Sequence, residues 1–75
     1  MRLWELHPVA DWGPLRGRVI SMRVRAATVD EARRIAAANA GEEGPEAWYG
    51  ERSLCRDAGP APDGAAGVIE REVYG

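Results

Sequence analysis

The sequence predicts a single α+β domain over residues 1–75, in which a small antiparallel or mixed sheet of four strands carries one helix on one face. Polar and apolar residues alternate with a period of two over residues 18–27, as in a half-buried strand. A helix-capping sequence follows directly at Thr28. The predicted order is strand, strand, helix, strand, strand, and one helix across a face of a small sheet is the economical packing for that order.

The first two strands lie before this helix. Residues 2–7 mix apolar and polar side chains and stop at Pro8, where a loop is expected to run to Pro14. In the second strand the period of two assigns side chains to two faces. One face is expected to hold Ile20, Met22, Val24 and Ala26, and the other Val19, Ser21, Arg23, Arg25 and Ala27.

The helix has a defined start and a defined end. The hydroxyl of Thr28 is spaced to accept from the amide of Glu31, whose carboxylate reaches back to the preceding backbone. Gly41 is expected to end the helix in a left-handed conformation. Because the apolar stripe is mostly alanine, we expect the helix to lie close to the sheet and to bury little area; the stripe consists of Ala32, Ile35, Ala36, Asn39 and Ala40.

The second half of the chain predicts two further strands. Residues 47–55 are interpreted as a third strand, interrupted at Gly50 by a bulge or a bend. Residues 56–66 combine Gly, Pro, Asp and Ala without a large apolar side chain, which predicts a flexible loop. Residues 67–74 (GVIEREVY) are expected to close the sheet as a fourth strand.

Composition limits how such a domain is stabilised. Cys55 is the only cysteine and His7 the only histidine, so the sequence offers neither a disulfide nor the ligand spacing of a zinc site, and it indicates no cofactor. Many of the apolar residues are alanine and none is phenylalanine, which predicts a thin core. A shared interface is the remaining source of buried area, so a homo-oligomer is expected.

Charge and hydropathy argue against two kinds of partner, duplex nucleic acid and a membrane. The net charge of −2 gives no general attraction to a phosphate backbone, so duplex nucleic acid is not an expected partner. No apolar run approaches the roughly 18 residues of a membrane span, and no signal-peptide core follows Met1. The sequence therefore predicts a soluble protein of a reducing compartment, the cytoplasm.

Two groupings of residues could suggest catalysis, and neither supports an enzyme. Cys55 and His7 are a thiol and an imidazole with no third group to orient them, and a lone cysteine is usually a small buried apolar residue. Glu42 and Glu43 lie in a turn between glycines, where we expect both to be solvated. No catalytic residue is assigned.

A second pair of carboxylates lies in the last predicted strand. Glu70 and Glu72 share a face that could lie opposite Arg23 and Arg25. Ion pairs between neighbouring strands are worth about 0.2 to 1 kcal/mol each, so a structural ladder is the preferred interpretation.

The aromatic residues are the main indication of a binding site. Trp48 and Tyr49 precede Arg52, and Trp12 lies close to Arg16 and Arg18. An aromatic ring beside a guanidinium suits a base with a phosphate, or an acidic protein surface. The alternative is that Trp4 and Trp48 fill the core in place of phenylalanine. The predicted ligand-binding residues are Arg23, Arg25, Trp48, Tyr49 and Arg52.

Several motifs together support a resemblance. They are the run Asp30-Glu31-Ala32-Arg33-Arg34-Ile35-Ala36, then Trp48, Cys55, Gly67-Val68-Ile69 and Gly75. The chain resembles a group of small uncharacterised bacterial and phage proteins with the layout A-x-x-E-E-A-R-x-I-A, W, C, G-V-I and G. It departs from that layout at Glu70-Arg71-Glu72, where the group often has a more apolar strand. The resemblance implies a compact phage-type accessory protein without catalytic residues.

Two functions follow from these observations as hypotheses. The first is a non-enzymatic oligomer that binds and sequesters a nucleotide-like host immune signal in the host cytoplasm. The alternative is a protein-binding inhibitor or adaptor of a host defence complex, of the anti-CRISPR or anti-defence type. A ligand that shifts the melting temperature is expected only for the first.

Overall fold

The computed structural model describes residues 1–9 and 16–74. Within them the chain forms four strands, one α-helix and two single turns of 3₁₀ helix. In chain order these are β1 (Arg2–Pro8), β2 (Arg18–Ala26), α1 (Val29–Ala38), the 3₁₀ turns Pro45–Trp48 and Gly50–Arg52, β3 (Ser53–Pro60) and β4 (Gly67–Tyr74). The loop expected after Pro8, with Trp12, lies mostly outside the described residues.

The strands form one antiparallel sheet in the order β3-β1-β2-β4. Leu6 of β1 lies opposite Met22 of β2 on one side and Cys55 of β3 on the other. The predicted α+β class and the order of strands and helix along the chain are confirmed. The strand order leaves β3 and β4 at the two edges of the sheet.

One face of the sheet is covered by α1 and the first 3₁₀ turn, and the core lies between these layers. Ala32 and Ala36 are fully buried against the sheet, as expected for a helix that approaches closely. In the part of the chain that the structure describes, the largest fully buried side chains are Trp48, Leu6, Met22, Val19 and Val24. We call the other face, which α1 does not cover, the open face.

A β-bulge changes the predicted faces of β2. The register between β2 and β4 shifts between Val19 and Ser21, which leaves Ile20 as an extra residue. An extra residue reverses the alternation of side chains. Val19 is therefore fully buried on the same side of the sheet as Met22. The prediction that Val19 and Met22 lie on opposite faces was wrong.

The start of α1 is confirmed, and its end differs from the prediction. The Thr28 hydroxyl accepts from the Glu31 amide at 3.2 Å, and the Glu31 carboxylate accepts from the Ala27 amide at 2.8 Å. The helix ends at Ala38 with Asn39 as its C-cap, and not through a left-handed Gly41, whose φ is not positive. Gly41 is required for another reason, because a Cβ there would collide with the carbonyl oxygen of Gly17.

The predicted third strand was wrong over residues 47–52. Ala47 and Trp48 are both buried, whereas neighbouring residues of a strand with one face on the core would alternate. The 3₁₀ turns turn both side chains inward. The strand starts at Ser53 and continues to Pro60, so residues 56–60 belong to β3 and not to the predicted flexible loop. Exposed edge strands need few apolar side chains, which is why composition suggested a loop there.

The Thr28 cap gives a direct test of the helix boundary. Thr28→Ala should lower the free energy of unfolding by about 0.5 to 2 kcal/mol, because the Glu31 amide loses its acceptor. Thr28→Ser keeps a hydroxyl and should retain most of the stability. Urea unfolding followed by circular dichroism measures both variants. An alanine variant as stable as the wild type would contradict the assigned start of α1.

Candidate functional site

The carboxylate of Glu43 joins three parts of the chain. Its Oε1 accepts from the Val19 amide at 2.8 Å and from the Gly41 amide at 3.0 Å. Its Oε2 accepts from the indole nitrogen of Trp48 at 2.7 Å and again from Gly41 at 3.0 Å. Glu43 is half-buried, so the expectation that it is solvated was wrong. The turn that carries it folds back over the start of β2.

The ionised form of Glu43 is favoured by these donors. Burial by itself raises the pKa of this carboxyl, but the hydrogen bonds from Val19, Trp48 and Gly41 outweigh it and hold the pKa below its ordinary value. The folded structure therefore contains a half-buried negative charge that depends on its donors.

Trp48 is fully buried in the core, where it has no surface for contact with a ligand. Trp4 is half-buried, packs against the same core and donates its indole N–H to the carbonyl of Ala26 at 3.1 Å. The expectation that at least one of these two tryptophans fills the core is confirmed. Trp48 therefore does not lie with exposed residues in a pocket.

Arg33 of α1 fixes the chain that follows Trp48. Its guanidinium donates to the carbonyl of Ser53 at 3.2 Å, to the carbonyl of Trp48 at 3.4 Å and to the Ser53 hydroxyl. That hydroxyl donates in turn to the carbonyl of Trp48 at 2.8 Å. The sequence did not predict these roles of Arg33 and Ser53. Ser53 lies between Arg52 and Leu54, and nothing in that order of residues indicates that it is buried.

Arg23 lies on the open face and is bound by a neighbour in β1. It pairs with the Glu5 carboxylate, with Nη2 at 2.9 Å and Nε at 3.1 Å from Oε2. Arg56 of β3 binds the other oxygen of Glu5. The hydrogen bonds from Arg56 and then Arg23 hold the pKa of the Glu5 carboxyl below its usual value. Glu70 is opposite Arg23 in the register, but the ion pair of Arg23 is with Glu5.

Arg25 holds the loop between β3 and β4. Its Nη1 donates to the carbonyl of Ala65 at 2.9 Å. The guanidinium lies against Gly64, where a Cβ would collide with it. Arg23 and Arg25 therefore share a face, as predicted, but each is engaged within the protein.

Tyr49 and Arg52 are the two predicted binding residues that the structure brings together. They line one open cleft of about 510 Å³ at the 3₁₀ turns, and 47% of Tyr49 is exposed. Glu46 and Glu51 line the same cleft, and their carboxylates oppose a phosphate. The other three predicted residues, Arg23, Arg25 and Trp48, do not line it.

Cys55 and His7 are separated by the sheet. Cys55 lies opposite Leu6, on the side of the core, whereas His7 is one residue further along β1 and lines a groove on the open face together with Glu5 and Arg23. Burial raises the pKa of the Cys55 thiol, although the charge of Arg33 acts in the opposite direction. The thiol and the imidazole are therefore not arranged as a nucleophile and its base.

The edge strand β4 is a run of exposed residues that includes apolar side chains. Among residues 1–9 and 16–74 it pairs only with β2, and residues 69–74 are all exposed. Ile69 is 43% exposed and Val73 is 45% exposed. A groove of about 340 Å³ lies beside the start of the strand, lined by Glu31, Arg34, Ile35, Ala38 and Ala66. Sequence analysis predicted this strand but not its place at an edge.

Comparison with known proteins adds no relative: no family model, no curated protein and no solved structure matches this chain. In the described ranges, no helix has the length and apolar character needed to cross a bilayer. The His, Cys, Asp and Glu side chains of residues 1–9 and 16–74 form no group of three or more that could hold a metal ion.

The lowered pKa of Glu43 predicts a pH-dependent contribution to stability. The contribution is complete above about pH 4.5, the ordinary value, and is lost as the pH falls through the lower folded pKa. Glu43→Gln should lower the free energy of unfolding at pH 7 by about 1 to 3 kcal/mol, because charged hydrogen bonds are lost. The difference from the wild type should narrow below pH 4.5.

The control for this prediction is Glu42→Gln, at the neighbouring exposed carboxylate. It should change stability by less than about 0.5 kcal/mol. Urea unfolding between pH 3 and pH 7, roughly the range in which carboxylates titrate, measures both variants. A Glu43→Gln deficit that is constant over this range would contradict the assigned role of the charge.

Proposed function

We propose that this chain is a non-enzymatic protein-binding module that takes up an extended segment of a partner along β4. The observation that carries the proposal is the exposed edge of β4, with Ile69, Val73 and Tyr74 between 43% and 52% exposed. An unpaired edge presents rows of amide and carbonyl groups that an added strand satisfies. This corresponds to the inhibitor or adaptor hypothesis, and a phage-type role remains a prediction from the resemblance.

The two edges of the sheet differ in a way that favours β4. Arg56 and Asp57 of β3 are bound to Glu5 and Arg2, and the strand ends in Pro60, which has no amide to donate. By contrast, β4 contains no proline. An added strand would therefore pair more readily with β4.

The placement of Cys55 and His7 on opposite faces of the sheet supports a non-enzymatic role. The thiol, with its raised pKa, and the exposed imidazole do not face each other, as a nucleophile and its base must. Binding of a partner segment requires only the exposed edge of β4.

A nucleotide-like ligand is the second candidate, and the cleft of Tyr49 and Arg52 favours it. A ring and a guanidinium in one cleft suit stacking on a base with contact to a phosphate. Glu46 and Glu51 make that cleft less suited to an anion than the sequence indicated. The predicted homo-oligomer is a separate proposal.

Selection of random peptides on the immobilised protein tests the main proposal. Enriched peptides should protect β4 amides from hydrogen exchange. Val73→Asp should weaken their binding by about tenfold or more, because it places a charge on an apolar contact of the added strand. Leu54→Asp is the matched control, since Leu54 is an exposed apolar residue of the other edge strand. It should leave binding within about twofold.

Other outcomes would contradict the proposal. Protection confined to the cleft of Tyr49 and Arg52, or equal loss of binding in the two variants, would remove β4 as the binding edge. A nucleotide that raises the melting temperature, in the absence of any bound peptide, would favour the second candidate. Circular dichroism of both variants confirms that each is folded.

A further inference from the structure

The charges of β4 are sorted between the two faces of the sheet. Glu70 lies opposite Arg23, and Glu72 opposite Ser21, whose hydroxyl donates to it at 3.2 Å. Both carboxylates therefore belong to the open face. Arg71 is opposite Met22, on the side of α1. An added strand would meet two negative charges, two residues apart, on the open face.

These charges argue against a second copy of the chain as the added strand. Two copies of β4 related by a twofold axis place side chains of the same face opposite each other. In the registers centred on Glu70, Arg71 or Glu72, a glutamate then faces a glutamate. Centring on Arg71 also places two guanidinium groups together. Like charges directly opposite one another are destabilising.

We propose that β4 binds an extended partner segment with Lys or Arg at alternate positions, opposite Glu70 and Glu72, and apolar residues between them. This inference rests on the proposed function and specifies its partner. The basic side chains form cross-strand ion pairs on the open face. The side chain between them lies on the side of α1, opposite Arg71, and the apolar side chain of Val73 is on the same side two residues further along β4.

The pattern does not depend on the direction of the added strand. Because the two glutamates are two residues apart, a basic, apolar, basic sequence meets them in parallel or antiparallel pairing. The charges that disfavour these three registers between copies therefore also favour a basic partner segment. A segment with acidic residues at the same positions would be rejected.

Three synthetic peptides test the inference. They have blocked ends, labelled N-termini and alternating valine, and they differ only in whether the other positions hold Lys, Glu or Thr. Fluorescence anisotropy with the full chain measures their binding. The Lys peptide should bind about tenfold more tightly than the Glu peptide, with the Thr peptide between them, and added salt should reduce the difference.

Charge-reversal variants separate local recognition from net charge. The double variant Glu70→Lys with Glu72→Lys should reverse the preference between the Lys and Glu peptides. The double variant Glu46→Lys with Glu51→Lys changes the net charge equally, at the distant cleft, and should keep the wild-type preference. Circular dichroism confirms folding of both.

Each failure has a distinct meaning. Equal binding of the three peptides, with protection of β4 amides, would overturn the basic pattern and leave the proposed function intact. Loss of the preference in the cleft variant as well would show a net-charge effect and would also overturn the pattern. If none of the peptides binds β4, the basic pattern and the proposed function both fail.

Discussion

The packing of this small domain depends on one half-buried carboxylate, that of Glu43. Glu43 accepts from the backbone of Val19 at the start of β2, from Gly41 after α1 and from the indole of Trp48. An ionised carboxylate away from water is unfavourable unless donors surround it. In the described ranges Trp48 is the largest fully buried side chain, and its hydrogen bond to Glu43 joins it to the turn after α1. The open face and the edge of β4 are parts of the same sheet that this packing supports.

Local patterns predicted the parts of the fold that depend on local structure. The alternation in β2 and the spacing of Thr28 and Glu31 each determine an element without reference to the rest of the chain. Residues 47–52 could not be predicted in this way, because Trp48 turns inward to meet a core and an acceptor that only the folded chain provides. The bulge at Ile20 is likewise set by pairing with β4.

The candidate site was predicted only in part, for a related reason. The sequence placed Arg23 and Arg25 on one face, but their partners depend on the strand order and on the loop that follows β3. Glu5 reaches Arg23 because β1 lies beside β2, and Ala65 accepts from Arg25 because the loop folds back.

The indole N–H of Trp48 provides the most direct test of this account. Its ¹⁵N–¹H resonance, assigned with Trp48→Phe, should shift with pH in a single transition centred below pH 4.5, the ordinary value for glutamate, because its acceptor is the Glu43 carboxylate. The transition should be absent in Glu43→Gln. A resonance that does not shift over this range, or that shifts equally in Glu43→Gln, would contradict the central role of Glu43.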